Sequence, residues 1–269
     1  MLTDSEFNRI VTYVTQHYGI DLRTKRTLIK AQLESYILRK GFRNFDEFMN
    51  KVELNMLGNE TEKLVNALTT NHTYFWREPV HFEYMTRVVL PYFEKKLEKT
   101  KDLRIWCGAS STGEEPYTIG MTLLDYFGLQ RSAWDTRVLA TDISTDVLES
   151  AVRGVYSKEA VAPLPDKWKQ LFFRSISADE CEVTDELRDE LIFRRFNLMD
   201  PLPFRQKLHI VFLRNVMIYF QDDVKYRLVN RIYEQLEPGG YLFIGTTEAL
   251  VKDKVQFRYV QPSIYRKEE

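Results

Sequence analysis

Residues 106–120 read "WCGASSTGEEPYTIG". The stretch lies where the short apolar run "LRIWC" (103–107) ends and a helical pattern, "GEEPYTIGMTLLDYFG" (113–128), begins. Tyr117, Met121 and Leu124 fall on one face of that helix, and Gly128 closes it. A strand that passes through a small-residue turn into a helix is the opening unit of a nucleotide-binding α/β fold. The same alternation repeats downstream. "TRVLATD" (136–142) is a strand followed by the helix "STDVLESAVRG" (144–154), and "KLHIVFLRN" (207–215) is a strand followed by the helix "DDVKYRLVNRIYEQLEPGG" (222–240). "GYLFIGTTE" (240–248) is a fourth strand, and "VQFRYVQPSIYRK" (255–267) reads as two final strands around Gln261 and Pro262. Strands separated by helices indicate a parallel sheet. The alternation breaks between Gly154 and Phe196, where "APLPDKW" and an acid-rich run from Asp179 to Glu190 suggest an insertion.

Upstream of Lys99 the chain reads as helices with polar breaks. "TDSEFNRIVTYVTQHYG" (3–19) carries a Thr3/Glu6 capping pair, apolar Phe7, Ile10, Val11 and Val14 at helical spacing, and Gly19 as a stop. A second helix is expected from about Arg23 to Arg39, with Ile29, Leu33 and Tyr36 on one stripe and Arg23, Arg26 and Lys30 on the next. "NFDEFMNKVELN" (44–55) and "ETEKLVNALTT" (60–70) make two shorter helices, and a longer one follows Pro79.

Composition narrows the function. The chain has 269 residues, 44% hydrophobic and 29% charged, with a formal net charge of −1. That describes a globular protein with a sizeable core. There is no apolar run long enough for a membrane helix and no signal-peptide pattern at the N-terminus. Two cysteines, Cys107 and Cys181, and four histidines without metal spacing define neither a disulfide framework nor a metal site; a reducing cytoplasm is expected. Residues 21–45 hold seven basic side chains against two acidic ones, a local excess that calls for an acidic partner.

The turn then selects the ligand. A dinucleotide fold carries G-x-G-x-x-G here, so that backbone approaches pyrophosphate at the helix N-terminus. This chain keeps only Gly108 and Gly113 and sets Glu114 and Glu115 at the helix start. Two acids repel phosphate and suit a ligand with ammonium, sulfonium or ribose hydroxyls. The next strand ends in Asp142, where such folds hold ribose. Together these features describe an S-adenosylmethionine pocket better than a NAD pocket. The alternative is that both glutamates merely favour the helix N-terminus through its dipole.

At this point the sequence resembles the CheR family of chemoreceptor protein-glutamate O-methyltransferases. The matching stretches are "NHTYFWRE" (71–78), "STGEEPYTIGM" (111–121), "TDIS" (141–144), "FNLMD" (196–200), "RNVMIYF" (214–220) and "LEPGGYLFIGTTE" (236–248), in family order. The resemblance implies an all-α N-terminal domain with a basic second helix (1–70), a linker and connecting helix (71–99), and a class I, Rossmann-like S-adenosylmethionine-dependent methyltransferase domain (100–269). It also implies that a small β-subdomain is inserted at about 154–196. It implies cofactor contacts at Asn71, Thr73 and Arg77, at Glu115 rather than Glu114, at Asp142 for the ribose, at Asn197 and Leu198 beside the adenine, and at Asn215 and Val216 on the floor. Leu198 contributes either side chain or backbone. Asn71 and Thr73 can instead cap a helix, and Tyr219 is either core or faces the transferred methyl. "CGASSTG" departs from the family's usual Ser-Ala-Ala, and His72 and Trp76 stand where the family varies.

The implied reaction moves a methyl group from S-adenosylmethionine to glutamate carboxylates in the cytoplasmic helices of chemoreceptors, leaving S-adenosylhomocysteine. Glutamate is ionised at neutral pH, so the enzyme aligns and desolvates the reactants and needs no strong base. Arg77 and Tyr219 are the candidate catalytic residues; the Arg77 guanidinium fits either the cofactor carboxylate or the incoming glutamate. Arg23, Arg26 and Lys30 are candidates for docking the acidic receptor helix, with a solvated helix face as the alternative. Nucleic acid is disfavoured as a partner by the near-zero net charge and the acidic insertion. Some family members bind a receptor C-terminal pentapeptide through a Gly-flanked turn in the insertion. "RSISADECEVTDELRDELIFRR" (174–195) has no glycine, so such binding is expected to be weak or absent. The alternatives on the same fold are an RNA or small-molecule methyltransferase and a non-catalytic cofactor-binding adaptor.

Overall fold

The computed structural model describes residues 2–54, 58–68 and 71–269. Asn55, Thr69 and Thr70, at the ends of two expected helices and of the expected N-terminal domain, lie outside the described residues, as does Met1.

Helix α1 (Asp4–Tyr18) starts at the capping box read from the sequence. Thr3 Oγ1 accepts the Glu6 N–H at 3.2 Å and Glu6 Oε2 accepts the Thr3 N–H at 2.8 Å. Gly19, at φ 71°, ends the helix with its N–H on the Thr15 carbonyl. Helix α2 begins three residues later than expected and spans Arg26–Arg39. Arg23 lies in the preceding turn, where Asp21 takes its backbone N–H and its guanidinium, so the expected basic stripe is not continuous along one helix. Ile29, Leu33 and Tyr36 are buried as read. They pack with Ile10, Val14 and the inner faces of α3 (Phe45–Leu54) and α4 (Asn59–Leu68) into a helical core.

After the linker, α5 (Val80–Tyr84), a π-helical turn (Met85–Val89) and α6 (Leu90–Lys96) run on without a break. The Leu90 N–H reaches back five residues to Met85, and Pro91, without an N–H, cannot restore the tighter register.

The rest of the chain is built as α/β. The elements are β1 (Ile105–Gly108), α7 (Glu114–Phe127), β2 (Val138–Asp142), α8 (Thr145–Arg153), β3 (Val155–Ser157), α9 (Lys158–Val161), α10 (Asp166–Phe172), β4 (Phe173–Ser175), β5 (Glu180–Val183), α11 (Asp185–Arg188), β6 (Leu191–Arg195), β7 (Leu208–Leu213), α12 (Asp222–Gln235), β8 (Leu236–Ile244), β9 (Arg258–Gln261) and β10 (Ile264–Arg266). The main sheet has the order β6-β2-β1-β7-β8-β10-β9, parallel from β6 to β8 and antiparallel over the last two. Cores lie on both faces of this sheet.

Two boundaries correct the sequence reading. The insertion is narrower than 154–196, because "LIFRR" (191–195) is the edge strand β6, paired in parallel with β2 from Val138↔Leu191 to Asp142↔Arg195. As a short edge strand ending in two arginines behind an acidic run, it carries little of the apolar signal of an inner strand. The subdomain proper is the antiparallel sheet β3-β5-β4 with its flanking short helices. The helix expected to reach Gly240 stops at Gln235, and the Pro238-Gly239-Gly240 segment belongs to β8. No helix of the described residues is long and apolar enough to cross a membrane.

Candidate active site at the ends of the parallel strands

The strand order reverses between β1 and β7, since the chain moves outward from β1 to β2 and β6 before returning to β7. In open α/β sheets the ligand lies outside the carboxyl ends of the strands at that switch. A deep cleft occupies this place. It brings together Asn71, Thr73, Arg77, Glu115, Asp142, Asn197, Leu198, Asn215, Val216 and Tyr219. Tyr18, Ile20, Asp21 and Lys25 of the helical lobe also line it.

The turn between β1 and α7 is wound tightly. Ala109 (φ 57°) and Ser111 (φ 49°) adopt left-handed backbone, which side chains other than glycine take up only where neighbours hold them. The Ser110 N–H is fixed on the Thr141 carbonyl at 2.9 Å and the Ser111 N–H on Asp142 Oδ2 at 2.9 Å. Gly113 (φ 99°) has no alternative, because a Cβ there would sit 2.8 Å from the Tyr156 hydroxyl. Asp142, 7% exposed, also accepts the Ser144 N–H at 3.0 Å. Burial pushes its pKa up, against these backbone donors.

The two acids of the turn part company. Glu114 is buried and accepts the Thr112 hydroxyl at 2.7 Å, with its pKa raised by burial. Glu115 lines the cleft, yet its charge is not bare. Its Oε2 accepts Arg214 Nη1 at 2.5 Å, and its Oε1 accepts the Cys107 thiol at 3.3 Å. The Arg214 side chain has no exposed surface; it also donates to Glu78 Oε2 at 3.1 Å and to the Arg77 carbonyl at 2.5 Å.

The linker 71–78 crosses the cleft in a strained path, with Trp76 at φ 62° and Glu78 at φ 57°. Trp76 is held by stacking on Phe82 and by an edge contact with Trp168. Arg77 Nη1 donates to the His72 carbonyl, and its guanidinium lies over Tyr74; among the described residues no carboxylate pairs with it. The Asn197 amide donates to the His17 carbonyl and accepts the Met199 N–H, so it ties α1 to the methyltransferase lobe. The Leu198 carbonyl accepts Arg231 Nη2 at 2.6 Å, and Leu198 both lines the cleft and packs into the core beside it. Asn215 is left-handed (φ 57°), with its N–H on Glu248 and its Nδ2 on Glu78. The Tyr219 carbonyl accepts the Asp21 N–H at 2.8 Å, a second tie between the lobes.

The proposed docking cations lie outside the cleft lining. Arg23 pairs with Asp21 at 2.6 Å, Arg26 with Asp4, and Lys30 with Glu34 at 4.0 Å. Sequence reading overlooked Arg214, Glu78 and Glu248. The signal for Arg214 was present: an arginine directly after the apolar run "HIVFL" is carried into the core and needs buried partners.

The donor set fits S-adenosylmethionine. The cleft combines an acid at the end of β2, the apolar residues Ile143, Phe196, Leu198 and Val216, and the opposite charges of Glu115 and Arg77, groups that suit ribose hydroxyls, a base and a zwitterionic amino acid. This fold and cleft are those of a class I S-adenosylmethionine-dependent methyltransferase. The family models "CheR methyltransferase, all-alpha domain" and "CheR methyltransferase, SAM binding domain" match residues 5–69 and 71–266. The chain is 35% identical over 270 residues to a chemotaxis protein methyltransferase of Borreliella burgdorferi, covering 99% of this chain and 95% of that one. It is 34% identical to the chemotaxis protein methyltransferase of Escherichia coli, covering 92% and 85%. The chain belongs to the CheR methyltransferase family.

Proposed function

We propose that this chain methylates the side-chain carboxylates of glutamates in the cytoplasmic helices of chemoreceptors, forming glutamate methyl esters in the cytoplasm as part of chemotactic adaptation. The observation that carries the reading is Arg77: a guanidinium on the cleft wall, bound to a carbonyl and an aromatic face but, among the described residues, to no carboxylate. The near full-length relatives named as chemotaxis protein methyltransferases support the receptor as substrate.

S-adenosylmethionine, when bound, supplies an electrophilic methyl group on a sulfonium. In this reading Asp142 receives the ribose, Asn197 and Leu198 flank the adenine, and Asn215 and Val216 form the floor. Asn71 and Thr73 close over the cofactor, and Glu115 faces its ammonium. Arg77 orients a carboxylate, and Tyr219 borders the reacting atoms. The accepting glutamate is already ionised, so these residues align and desolvate the reactants without taking a proton. Residues 1–70 serve as the docking lobe, 71–99 as the connection and 100–269 as the catalytic lobe. Arg23, Arg26 and Lys30 exchange their internal partners for receptor carboxylates. The glycine-free β4–β5 turn leaves the receptor C-terminal pentapeptide unbound.

The test is incubation with radiolabelled S-adenosylmethionine and a receptor cytoplasmic fragment. Alkali-labile label on the receptor is expected. Label on RNA or a small molecule, or cofactor binding without transfer, would replace this reading.

A further inference from the structure

Arg214 sits at the meeting point of three segments: the end of β7, the linker at 77–78 and the first turn of α7. Its donors divide among them. Nη1 reaches Glu115 Oε2 at 2.5 Å, Nη2 reaches the Arg77 carbonyl at 2.5 Å and Glu78 Oε2 at 3.1 Å, and Nε reaches Glu78 Oε2 at 3.3 Å. The guanidinium also lies over the Phe82 ring, 5.5 Å from its centroid. Glu78 is in turn fixed by the Thr246 N–H and hydroxyl and by Asn215 Nδ2. His81, fully buried 3.5 Å from Glu78, is kept neutral, its pKa pushed down to about 4 by burial and by Arg214. Arg214 is therefore the cation between two carboxylates.

A buried Arg with two acids is a poor way to gain stability, because desolvation offsets most of the attraction. It is a good way to hold two groups at a set distance, since the planar fork fixes both. The groups held here are the Glu115 carboxylate and the backbone of Arg77. In the reading above the nucleoside end is formed by Asp142, Asn197 and Leu198, which stand at or just past the ends of β2 and β6, whereas Glu115 and the Arg77 backbone are both bonded to Arg214 beyond the end of β7. We propose that Arg214 is a positioning residue for the amino-acid end of the cofactor: it sets the Glu115 carboxylate and the Arg77 segment in register and leaves the nucleoside end untouched. The inference rests on the reading above, in which Glu115 and Arg77 face that end.

Calorimetry on the full chain can separate the two ends with S-adenosylhomocysteine and 5′-methylthioadenosine, which share the nucleoside and differ in the amino acid. Arg214→Lys keeps the charge and loses the fork. It should weaken S-adenosylhomocysteine about tenfold or more, as expected for broken charge-assisted bonds, and leave 5′-methylthioadenosine within about twofold. Unchanged S-adenosylhomocysteine affinity, or equal loss for both ligands, would overturn the proposal. If Arg214→Lys does not fold, Glu78→Gln decides in its place: it keeps acceptors for Thr246 and removes the charge that anchors Arg214. The same ligand-selective loss is expected, and an equal loss or none refutes it. Glu115→Gln, measured alongside, tests the underlying reading separately. If it leaves S-adenosylhomocysteine binding intact, Glu115 does not face the amino-acid end, whatever Arg214→Lys does.

Discussion

Asp142 couples the cleft to the turn beside it, because it lines the cleft while its two oxygens accept the N–H groups of Ser111 and Ser144. Asp142→Ala should weaken S-adenosylmethionine binding by roughly 1–3 kcal/mol through lost hydrogen bonds to ribose and a loosened turn. Calorimetry on the folded variant checks this, and unchanged affinity would remove Asp142 from the site. The neighbouring glutamates make a sharper comparison. Glu115 lines the cleft and Glu114 is buried against Thr112. Glu115→Gln should therefore cost more cofactor affinity than Glu114→Gln, whereas equal and small losses would mean that both act only through the helix dipole. The resemblance already singled out Glu115 of the pair; α7 turns Glu115 to the cleft and buries Glu114.

At the scale of elements, two carboxylates organise backbone. Glu6 closes the capping box of α1 and also accepts the N–H groups of Phe45 and Asp46, so it caps α3 as well. Burial opposes its charge, but the donors from Thr3, Asp46 and Phe45 win and its pKa is lowered. A depressed carboxylate contributes stability above its unfolded pKa, near 4.3, and loses it as pH falls through the folded value. Glu6→Gln should thus cost about 1 kcal/mol in urea unfolding at neutral pH, with a gap to the wild type that closes in acid. A gap that persists in acid would show that the charge is not what matters. Glu248 does similar work for the loop after β7, accepting the N–H groups of Asn215, Met217, Ile218 and Gly245 at 2.7–3.2 Å. An amide cannot accept from all four. Glu248→Gln should lower stability by roughly 1–3 kcal/mol, the cost of a buried donor left unpaired, seen as a lower Tm. An unaltered Tm would mean that the loop is held by packing.

Across the whole molecule, the cleft is shared by two lobes joined through Asn197 to His17, Asp21 to Tyr219 and Arg195 to Glu62 at 3.1 Å. Reversing charges on the helical lobe tests docking without touching the cofactor side. Arg26→Glu with Lys30→Glu should raise the KM for receptor by the equivalent of about 1–3 kcal/mol and leave cofactor affinity unchanged. The wild-type rate at subsaturating receptor should fall with salt. Arg26 also donates to the Leu2 carbonyl, so a modest drop in Tm accompanies the change. Intact receptor kinetics at low salt would place docking elsewhere.

The order of helices and strands was legible because it is written in local signals: capping pairs, glycine stops, and the apolar spacing of Ile29, Leu33 and Tyr36. The acid at the end of β2 and the small-residue turn were legible for the same reason, since each follows from its place in one strand-turn-helix unit. What the chain order could not reveal depends on segments far apart in sequence. β6 is recognisable only by its parallel register with β2, 53 residues earlier at Val138↔Leu191. The partners of Arg214 lie 99 and 136 residues away. Composition showed an excess of positive charge between residues 21 and 45, but folding pairs four of those cations, Arg23, Arg26, Lys30 and Arg43, with nearby acids. Local spacing thus determined the main helices, the inner strands of the sheet and the small-residue turn. Tertiary structure decided which charges meet, because a buried charge takes its meaning from whichever distant group the fold sets beside it.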